Sequence, residues 1–198
     1  MNEKRGNLIV ISGASGVGKS SVIAEVLKKR DNLYFSVSWT TRSPREGEVD
    51  GVNYHFTDRE GFEKRIAEGD FLEYAQYVGN FYGTSKSLVE EKLQAGQDVL
   101  LDIEVQGAEQ VKVNCPEAIL LFVIPPSFEE LEKRLRSRGT DDEEKILGRL
   151  HRAREEMRES TRYDYIIVND TITSAAEEVL SILTAEHCRT KKRIALIK

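Results

Sequence analysis

Gly13 to Ser20 reads GASGVGKS and directly follows a short apolar run, Asn7 to Ser12, that is rich in β-branched residues. After the loop, apolar residues between Val22 and Leu27 fall on one helical face. The stretch therefore fits G-x-x-x-x-G-K-S in the strand, loop and helix context that the pattern requires. It predicts a phosphate-binding loop at the first strand of an α/β domain.

The residues of this loop suit a nucleoside triphosphate and its metal ion. The glycines let backbone N–H groups converge on a polyphosphate, and the helix N-terminus adds partial positive charge. Lys19 is predicted to bridge the β- and γ-phosphates, and the Ser20 hydroxyl to reach Mg²⁺. Asp102 ends the apolar run VLLD and is predicted as a second Mg²⁺ ligand, although an Asp at a strand end is also an ordinary turn former. The predicted ATP-binding residues here are Gly13, Ala14, Ser15, Gly16, Val17, Gly18, Lys19, Ser20 and Ser21.

The composition limits the classes of protein to consider. The chain has 198 residues, 39% of them hydrophobic and 32% charged, which suits one compact domain with subdomains. A net charge of -5 argues against a protein that coats nucleic acid or an anionic membrane. Its 2 cysteines lack metal-ligand spacing and indicate reduced thiols. We therefore expect a cytoplasmic protein without a nucleic-acid or membrane partner, of unspecified oligomeric state.

The rest of the chain alternates between strand and helix patterns. Nearly continuous apolar runs are typical of parallel strands covered on both faces, and helical periodicity separates them. This alternation predicts a mostly parallel sheet with helices on both faces. The predicted strands are Asp98–Ile103, Ala118–Ile124 and Asp164–Asn169, and the predicted helices are Gln106–Asn114, Phe128–Ser137 and Thr173–Cys188.

Two segments interrupt the alternation and predict subdomains. Tyr34 to Leu93 has short strand-like pieces rich in aromatic residues and a helix that begins at Thr57, which indicates a small mixed α+β insert. Pro125 to Arg158 is densely charged and indicates a helical flap. The predicted domains are a core of residues 1–33, 94–124 and 159–198, an insert of residues 34–93 and a flap of residues 125–158.

The insert begins with SVSWTTRSPREGEVDGVNY, Ser36 to Tyr54, and this stretch predicts a second phosphate site. The guanidinium groups of Arg42 and Arg45 are forked donors that suit a phosphate dianion. Tyr54 and Tyr82 can add hydroxyl donors. A solvated basic turn is the alternative, since arginines are common on protein surfaces.

Five separated motifs together resemble the guanylate kinase family, whose members transfer a phosphoryl group from ATP to GMP. These motifs are SVSWTTRSPREGEVDGVNYHF, FLEYAQYVGNFYGTS, LLDIEVQG, PPSFEELEKRLRSRGTDDEEKILGRL and YIIVND, in order around SGASGVGKS. The resemblance implies a phosphate-loop α/β fold, a GMP-binding insert, a lid at residues 125–158, and Mg²⁺ with ATP as co-substrate. Ala14, Ser21 and Thr84 depart from the residues of many relatives, but none of these changes removes a phosphate ligand.

The resemblance also implies residue roles. Guanine carries two adjacent donors that adenine lacks, so carboxylates at Glu73 and Glu104 can accept from it, while a hydroxyl of Ser38 or Thr84 serves O6. The implied GMP-binding residues are Ser38, Arg42, Arg45, Tyr54, Glu73, Tyr82, Thr84 and Glu104. The implied catalytic residues are Lys19, Arg42, Arg138 and Arg149, and Arg134 and Asn169 lie on the ATP side.

Alternative interpretations remain open at this point. Glu73 could be an ordinary exposed glutamate, since every second residue of FLEYAQY faces one side of a strand. The whole chain could be a sugar-phosphate kinase of the same fold, a guanylate-kinase-like domain that binds phosphopeptides without catalysis, or a GTPase-like switch. The intact Lys19 and Ser20 argue against the non-catalytic domain, and the second phosphate site argues against the switch.

Overall fold

The structure is a computed structural model that describes residues 5–137, 139 and 142–197. Its strands are β1 (Leu8–Gly13), β2 (Leu33–Phe35), β3 (Trp39–Thr40), β4 (His55–Phe56), β5 (Phe71–Tyr77), β6 (Asn80–Ser85), β7 (Asp98–Asp102), β8 (Ile119–Ile124) and β9 (Tyr165–Val168). Its helices are α1 (Lys19–Lys29), α2 (Arg59–Ala67), α3 (Lys86–Gln94), α4 (Val105–Asn114), α5 (Phe128–Ser137), α6 (Glu143–Arg158), α7 (Ile172–His187) and α8 (Thr190–Arg193). Single 3₁₀ turns lie at Glu159–Arg162 and Ile194–Ile197.

A five-stranded sheet carries β1 at its centre, in the order β2-β7-β1-β8-β9. Strand β2 pairs in parallel with β7, and β8 pairs in parallel with β9. All residues of β1 are buried, and β7 and β8 are buried up to their last residue, as strands covered on both faces should be. The predicted α/β class with a parallel sheet is confirmed.

The predicted insert contains a second, four-stranded sheet in the order β4-β3-β6-β5. Strand β3 is parallel to β4 and antiparallel to β6, so the sheet is mixed, as predicted. Helix α2 packs on it through Phe62, which is fully buried and whose ring centroid lies 4.5 Å from that of Phe71 and 5.4 Å from that of Phe81. Stacked aromatic pairs of this kind stabilise a small core by roughly 0.5–1.5 kcal/mol each beyond their buried area.

The helix boundaries agree with the sequence to within one residue, since α4 and α7 begin at Val105 and Ile172, not at Gln106 and Thr173, and one cap differs. Helix α5 spans the predicted residues, and its first turn is capped by the Ser127 Oγ, which accepts from the Glu130 N–H at 3.1 Å. Helix α2 is capped by Asp58, not by Thr57 as predicted, because the Asp58 Oδ1 accepts from the Gly61 N–H at 2.7 Å. In the described part of the chain, no helix is long and apolar enough to cross a bilayer.

The chain divides into two compact units, which are described separately below. The first unit comprises the residues up to Ile9 together with Leu33–Ala118, and the second comprises Val10–Asn32 and the residues from Ile119 onward. The first unit contains the mixed sheet, and the second contains the phosphate-binding loop with α5 and α6. The predicted three-part division by residue number stays a prediction.

The β5–β6 hairpin contains a strained turn that yields a stability prediction. Val78 and Gly79 form its two-residue loop, with φ of 46° and 80°, and such a turn favours Asn-Gly. Val78 is 80% exposed, so packing does not compensate for its strained backbone. We expect Val78→Asn to raise the free energy of unfolding by about 1 kcal/mol, which thermal denaturation would show as a rise of about 2–4 °C in Tm. The matched control is Val52→Asn, at an exposed valine outside the left-handed region, and an equal rise there would contradict the turn argument.

Candidate active site

Two positions in the loop between β1 and α1 need glycine, because their φ angles are positive and neighbouring side chains leave no room for a Cβ. Gly16 and Gly18 have φ of 86° and 90°, a region that side chains disfavour. A Cβ at Gly18 would lie 2.8 Å from the Asn169 Nδ2, and one at Gly16 would lie 2.5 Å from a Leu135 methyl carbon. The loop can therefore take this shape only with glycine at both positions.

The backbone amides of the loop fall into two sets. Three of them donate within the second unit: Ala14 to the Val123 oxygen (3.4 Å), Ser15 to the Glu156 Oε2 (2.8 Å) and Val17 to the Ala14 oxygen (3.1 Å). The amides of Gly16 and Gly18 have no acceptor among the residues that the structure describes. These two amides precede Lys19 at the N-terminus of α1, where the helix dipole favours an anion.

A cavity of about 450 Å³ opens beside the loop within the second unit. Gly18, Arg134 and Asn169 are among its lining residues. Asn169 is 3% exposed, and its Nδ2 donates to the Val17 oxygen at 2.7 Å. The Arg134 guanidinium donates to the carbonyl oxygens of Asn169 (2.9 Å) and Asp170 (3.1 Å) and so holds the turn that carries Asn169. The structure thus brings the two predicted ATP-side residues together with the loop.

Helices α5 and α6 form an apolar wall against the loop. The wall is a cluster of buried side chains that also includes the loop residue Ala14; its other members are Leu131, Leu135, Ile146, Leu150 and Ala153. Arg149, one of the predicted catalytic arginines, is partly exposed on α6. Arg138, the other predicted lid arginine, lies outside the described residues.

In the first unit, Arg42 lies at the centre of a cluster of polar and aromatic groups. Its Nη2 donates to the Glu48 Oε1 at 2.8 Å, its Nη1 donates to the Ser43 oxygen at 2.8 Å, and its guanidinium lies 5.3 Å from the centroid of the Tyr54 ring. The rings of Tyr54 and Tyr82 meet edge to face at 5.9 Å. The hydrogen bond from Arg42 lowers the pKa of Glu48, so Glu48 is ionised at neutral pH. Three of the four predicted phosphate-binding side chains therefore meet here.

Glu73 and Thr84 form a buried pair on neighbouring strands of the mixed sheet. Glu73 on β5 is 6% exposed, and the Thr84 hydroxyl on β6 donates to its Oε1 at 2.6 Å. Burial raises the pKa of Glu73, against the opposing effect of the bonds from Thr84. The alternative of an ordinary exposed glutamate is therefore wrong. A buried carboxylate with a second oxygen left to accept hydrogen bonds suits a ligand that carries N–H donors.

Helix α4 holds the edge strand that carries Glu73. The side-chain amide of Gln110 accepts from the Tyr74 N–H and donates to its carbonyl oxygen, each at 3.1 Å. A Cβ at Gly107 would lie 2.9 Å from the Glu73 Oε2, so a larger residue there would displace the carboxylate. Glu104 precedes α4 as its exposed N-cap residue, three positions before Gly107.

The remaining predicted residues are less enclosed. Ser38 is partly exposed, and the Arg45 side chain is exposed, although the Arg45 N–H donates to the Glu48 Oε2 at 2.8 Å. Asp102 is partly exposed at the end of β7, and Ser20 is exposed in the first turn of α1. Across the residues that the structure describes, no group of three or more His, Cys, Asp or Glu could hold a metal ion.

Three residues of these sites were not predicted as such. Glu48 follows Arg42 by only six positions, so a carboxylate in the same basic turn was the available signal. Gly107 lies within the quoted LLDIEVQG motif, where a glycine inside a helical pattern indicates a close approach. Glu156 contacts Ser15 of the loop, 141 positions earlier in the chain. Its helix contains several other glutamates, so no local pattern could identify it.

The comparisons with known proteins agree on one family. A model of the family described as guanylate kinase matches residues 5–186. A guanylate kinase of Thermus thermophilus is 54% identical over 96% of this chain and 84% of its own length. One of Oceanobacillus iheyensis is 48% identical over 98% of this chain and 94% of its own length.

The solved structures extend the same result to the fold. A crystal structure of guanylate kinase from Anaplasma phagocytophilum matches with a TM-score of 0.75 and 34% identity, over 96% of this chain and 90% of that one. A gluconokinase from Sinorhizobium meliloti matches with a TM-score of 0.51 and 16% identity, over 92% of this chain and 94% of that one, which indicates a shared fold only.

Proposed function

The chain belongs to the guanylate kinase family and is an ATP:GMP phosphotransferase, and from that premise we propose how its residues transfer the γ-phosphoryl group of ATP to GMP. The transition state of phosphoryl transfer is loose, with charge spread over the oxygens of the moving group. The protein must therefore align two nucleotides and supply positive charge that needs no reorganisation. Residues for both tasks are present in the two units.

The second unit binds ATP. The amides of Gly16 and Gly18 and the ammonium group of Lys19 hold the polyphosphate, and the cavity beside Asn169 and Arg134 takes the adenosine. Ser20 supplies a hydroxyl oxygen of the kind that Mg²⁺ prefers, and Mg²⁺ commonly relies on one or two protein ligands plus phosphates. Asp102, which belongs to the first unit, stays the predicted carboxylate ligand. When bound, Mg²⁺ neutralises charge on the phosphates. This donor set fits the ion.

The acceptor phosphate is held by the cluster around Arg42. Arg42 uses one N–H toward Glu48 and one toward Ser43, which leaves further donors of the same rigid fork for a phosphate. Arg45, Tyr54 and Tyr82 complete the set. A phosphate monoester is mostly ionised near neutral pH, so it is already a nucleophile and needs no general base.

Guanine is read by the buried pair and its neighbours. Thr84 directs its hydroxyl proton to Glu73, so we assign the donation to guanine O6 to Ser38 and not to Thr84. Glu73 and Glu104 accept from the N1–H and the exocyclic amino group. Adenine has neither an N1–H nor a 2-amino group. It would leave the second oxygen of the buried Glu73 carboxylate without a donor, which costs about 1–3 kcal/mol or more.

Positive charge for the transferred group comes from Lys19 and the lid arginines. Arg149 and Arg138 are assigned to the γ-phosphoryl oxygens, and Arg42 to the acceptor side of the same transfer. Excluding water is equally necessary, because water would otherwise accept the phosphoryl group. We place the enzyme in the cytoplasm, in purine nucleotide metabolism, with no nucleic-acid or membrane partner.

The observation that carries this proposal is the buried Glu73 with its Thr84 bond, because its second carboxylate oxygen needs a hydrogen-bond donor and the N–H groups of guanine supply one. The test is a panel of GMP, dGMP, AMP, CMP, UMP and ribose 5-phosphate with ATP and Mg²⁺, followed by product identification. We expect GDP from GMP, and at least about a hundredfold lower kcat/KM with AMP. Phosphorylation of the sugar phosphate in preference to GMP would favour the sugar-phosphate kinase, and binding without turnover would favour the scaffold domain.

A further inference from the structure

A carboxylate from the lid region contacts the phosphate-binding loop directly. Glu156 lies near the C-terminal end of α6, and its Oε2 accepts from the Ser15 N–H at 2.8 Å. Ser15 belongs to the predicted ATP-binding stretch, yet its amide donates to the protein itself. The loop amides that we assign to an anion are therefore those of Gly16 and Gly18.

The contact lies beside an apolar interface between the same two elements. Ala14, the residue before Ser15, is 3% exposed and belongs to one cluster with Leu150 and Ala153 of α6, against which Met157 also packs. Apolar packing of this kind sets a distance but tolerates sliding and rotation of the helix. A hydrogen bond adds direction, since its donor and acceptor must align.

Helix geometry connects this contact to Arg149. Positions 149 and 156 are seven residues apart, so both side chains leave α6 within about 20° of the same direction. They are separated by two turns, or about 10.5 Å along the helix axis. A hydrogen bond that fixes Glu156 against the loop therefore fixes the rotation and the axial position from which Arg149 extends.

We propose that Glu156 is a positioning residue, which docks α6 on the phosphate-binding loop and thereby sets the place of the Arg149 guanidinium. The inference rests on the role given to Arg149 in the proposed function. Glu156 needs no contact with a substrate, because it acts through the helix that it shares with Arg149. The Ser15 amide requires an acceptor oxygen, which a carboxylate and a side-chain amide both offer.

The experiment measures kcat and the KM values for ATP and GMP in Glu156→Ala and Glu156→Gln. We expect E156A to lower kcat about tenfold, as small misplacements of a charged group do, with the KM for GMP changed less than about twofold. E156Q keeps an acceptor oxygen and should stay within about threefold of the unchanged enzyme. The matched control is Glu155→Ala, which removes the adjacent carboxylate that faces His151 at 3.7 Å on the exposed side of α6 and should leave kcat unchanged.

A double-mutant cycle with Arg149→Ala tests the route of the effect. If Glu156 acts through Arg149, E156A should change kcat less than about twofold once Arg149 is absent. Thermal denaturation of each variant checks folding, and if E156A does not fold, Glu156→Asp replaces it, because that change withdraws the carboxylate by one methylene group and keeps the charge.

The outcomes separate the inference from the function on which it rests. Independent, multiplicative effects in the cycle, or an unchanged kcat in folded E156A, would overturn the positioning role while leaving the role of Arg149 intact. A loss in E156Q as large as that in E156A would also overturn it, since the charge would then matter more than the hydrogen bond. An unchanged kcat in R149A would overturn both the proposed role of Arg149 and this inference.

Discussion

Replacing Lys19 with methionine is expected to lower kcat by about 10³-fold. Lys19 begins α1 directly after Gly18. In the proposed function, its ammonium group and the neighbouring amides hold the polyphosphate of ATP. Methionine has a similar length and no charge, so the change removes positive charge from the transferred group while it keeps the volume of the side chain. The ammonium group stabilises the transition state more than the bound substrates. Its loss should therefore lower kcat and change the KM for GMP less.

The matched control for this change is Lys28→Met in the same helix. Lys28 lies nine positions further along α1, exposed, with its Nζ 3.5 Å from a carboxylate oxygen of Glu25. The control alters the net charge of the protein by the same amount at a distance from the loop, so it should keep full turnover. Steady-state kinetics with saturating ATP, together with thermal denaturation, would distinguish a catalytic loss from unfolding. A folded K19M variant that retains more than about a tenth of the kcat would remove the phosphate-binding loop from the mechanism.

The sequence predicts the parts of the fold that depend on local patterns. The buried runs became β1, β7 and β8 because a strand covered on both faces must be apolar at nearly every position. Helix α5 has the predicted bounds, since a serine cap and a strong apolar face specify both its start and its direction. The cap of α2 was misplaced by one residue because Thr57 and Asp58 are both competent caps, and backbone geometry decides between them.

Contacts between distant parts of the chain could not be predicted in the same way. The sequence alone left open whether Glu73 was buried, since a single glutamate in a strand is compatible with either face. Its burial depends on Gly107 in α4, which leaves room for the carboxylate, and on Thr84 across the hairpin. The bond between Ser15 and Glu156 depends on how α6 packs against Ala14, which follows from tertiary structure and not from spacing.

Glu73→Gln should lower activity with GMP and raise stability near pH 8, because the buried charge of Glu73 serves guanine binding but destabilises the folded protein. The introduced glutamine would present an amide N–H₂ or a single carbonyl oxygen to a base that offers two donors, so we expect kcat/KM for GMP to fall about tenfold to a hundredfold. Use of ATP should persist, because the proposed ATP site lies in the other unit. Glu60→Gln, at an exposed glutamate in the first turn of α2, is the matched control and should change neither quantity.

The effect on stability has the opposite sign and depends on pH. Burial raises the pKa of Glu73 above its ordinary value of 4.5, so the folded state takes up the proton at a higher pH than the unfolded state does. The ionised carboxylate therefore destabilises the protein above the raised pKa, and this cost disappears as the pH falls through that pKa toward 4.5. Glutamine carries no charge and still accepts from Thr84. E73Q should thus have the higher Tm near pH 8, and its advantage should vanish near pH 4.5.

Two measurements check this combination. Thermal denaturation of the unchanged enzyme and E73Q from pH 8 down to pH 4.5 gives the stability difference, and kcat/KM for GMP over the same range gives the activity. In the unchanged enzyme, activity should decline as Glu73 takes up its proton, whereas the low activity of E73Q should lack that titration. Unchanged GMP kinetics in E73Q would contradict the role of Glu73 in reading guanine. A stability difference that grows toward acid pH would show that Glu73 is stabilised in its ionised form, which would remove the reason for a guanine donor to complete the site.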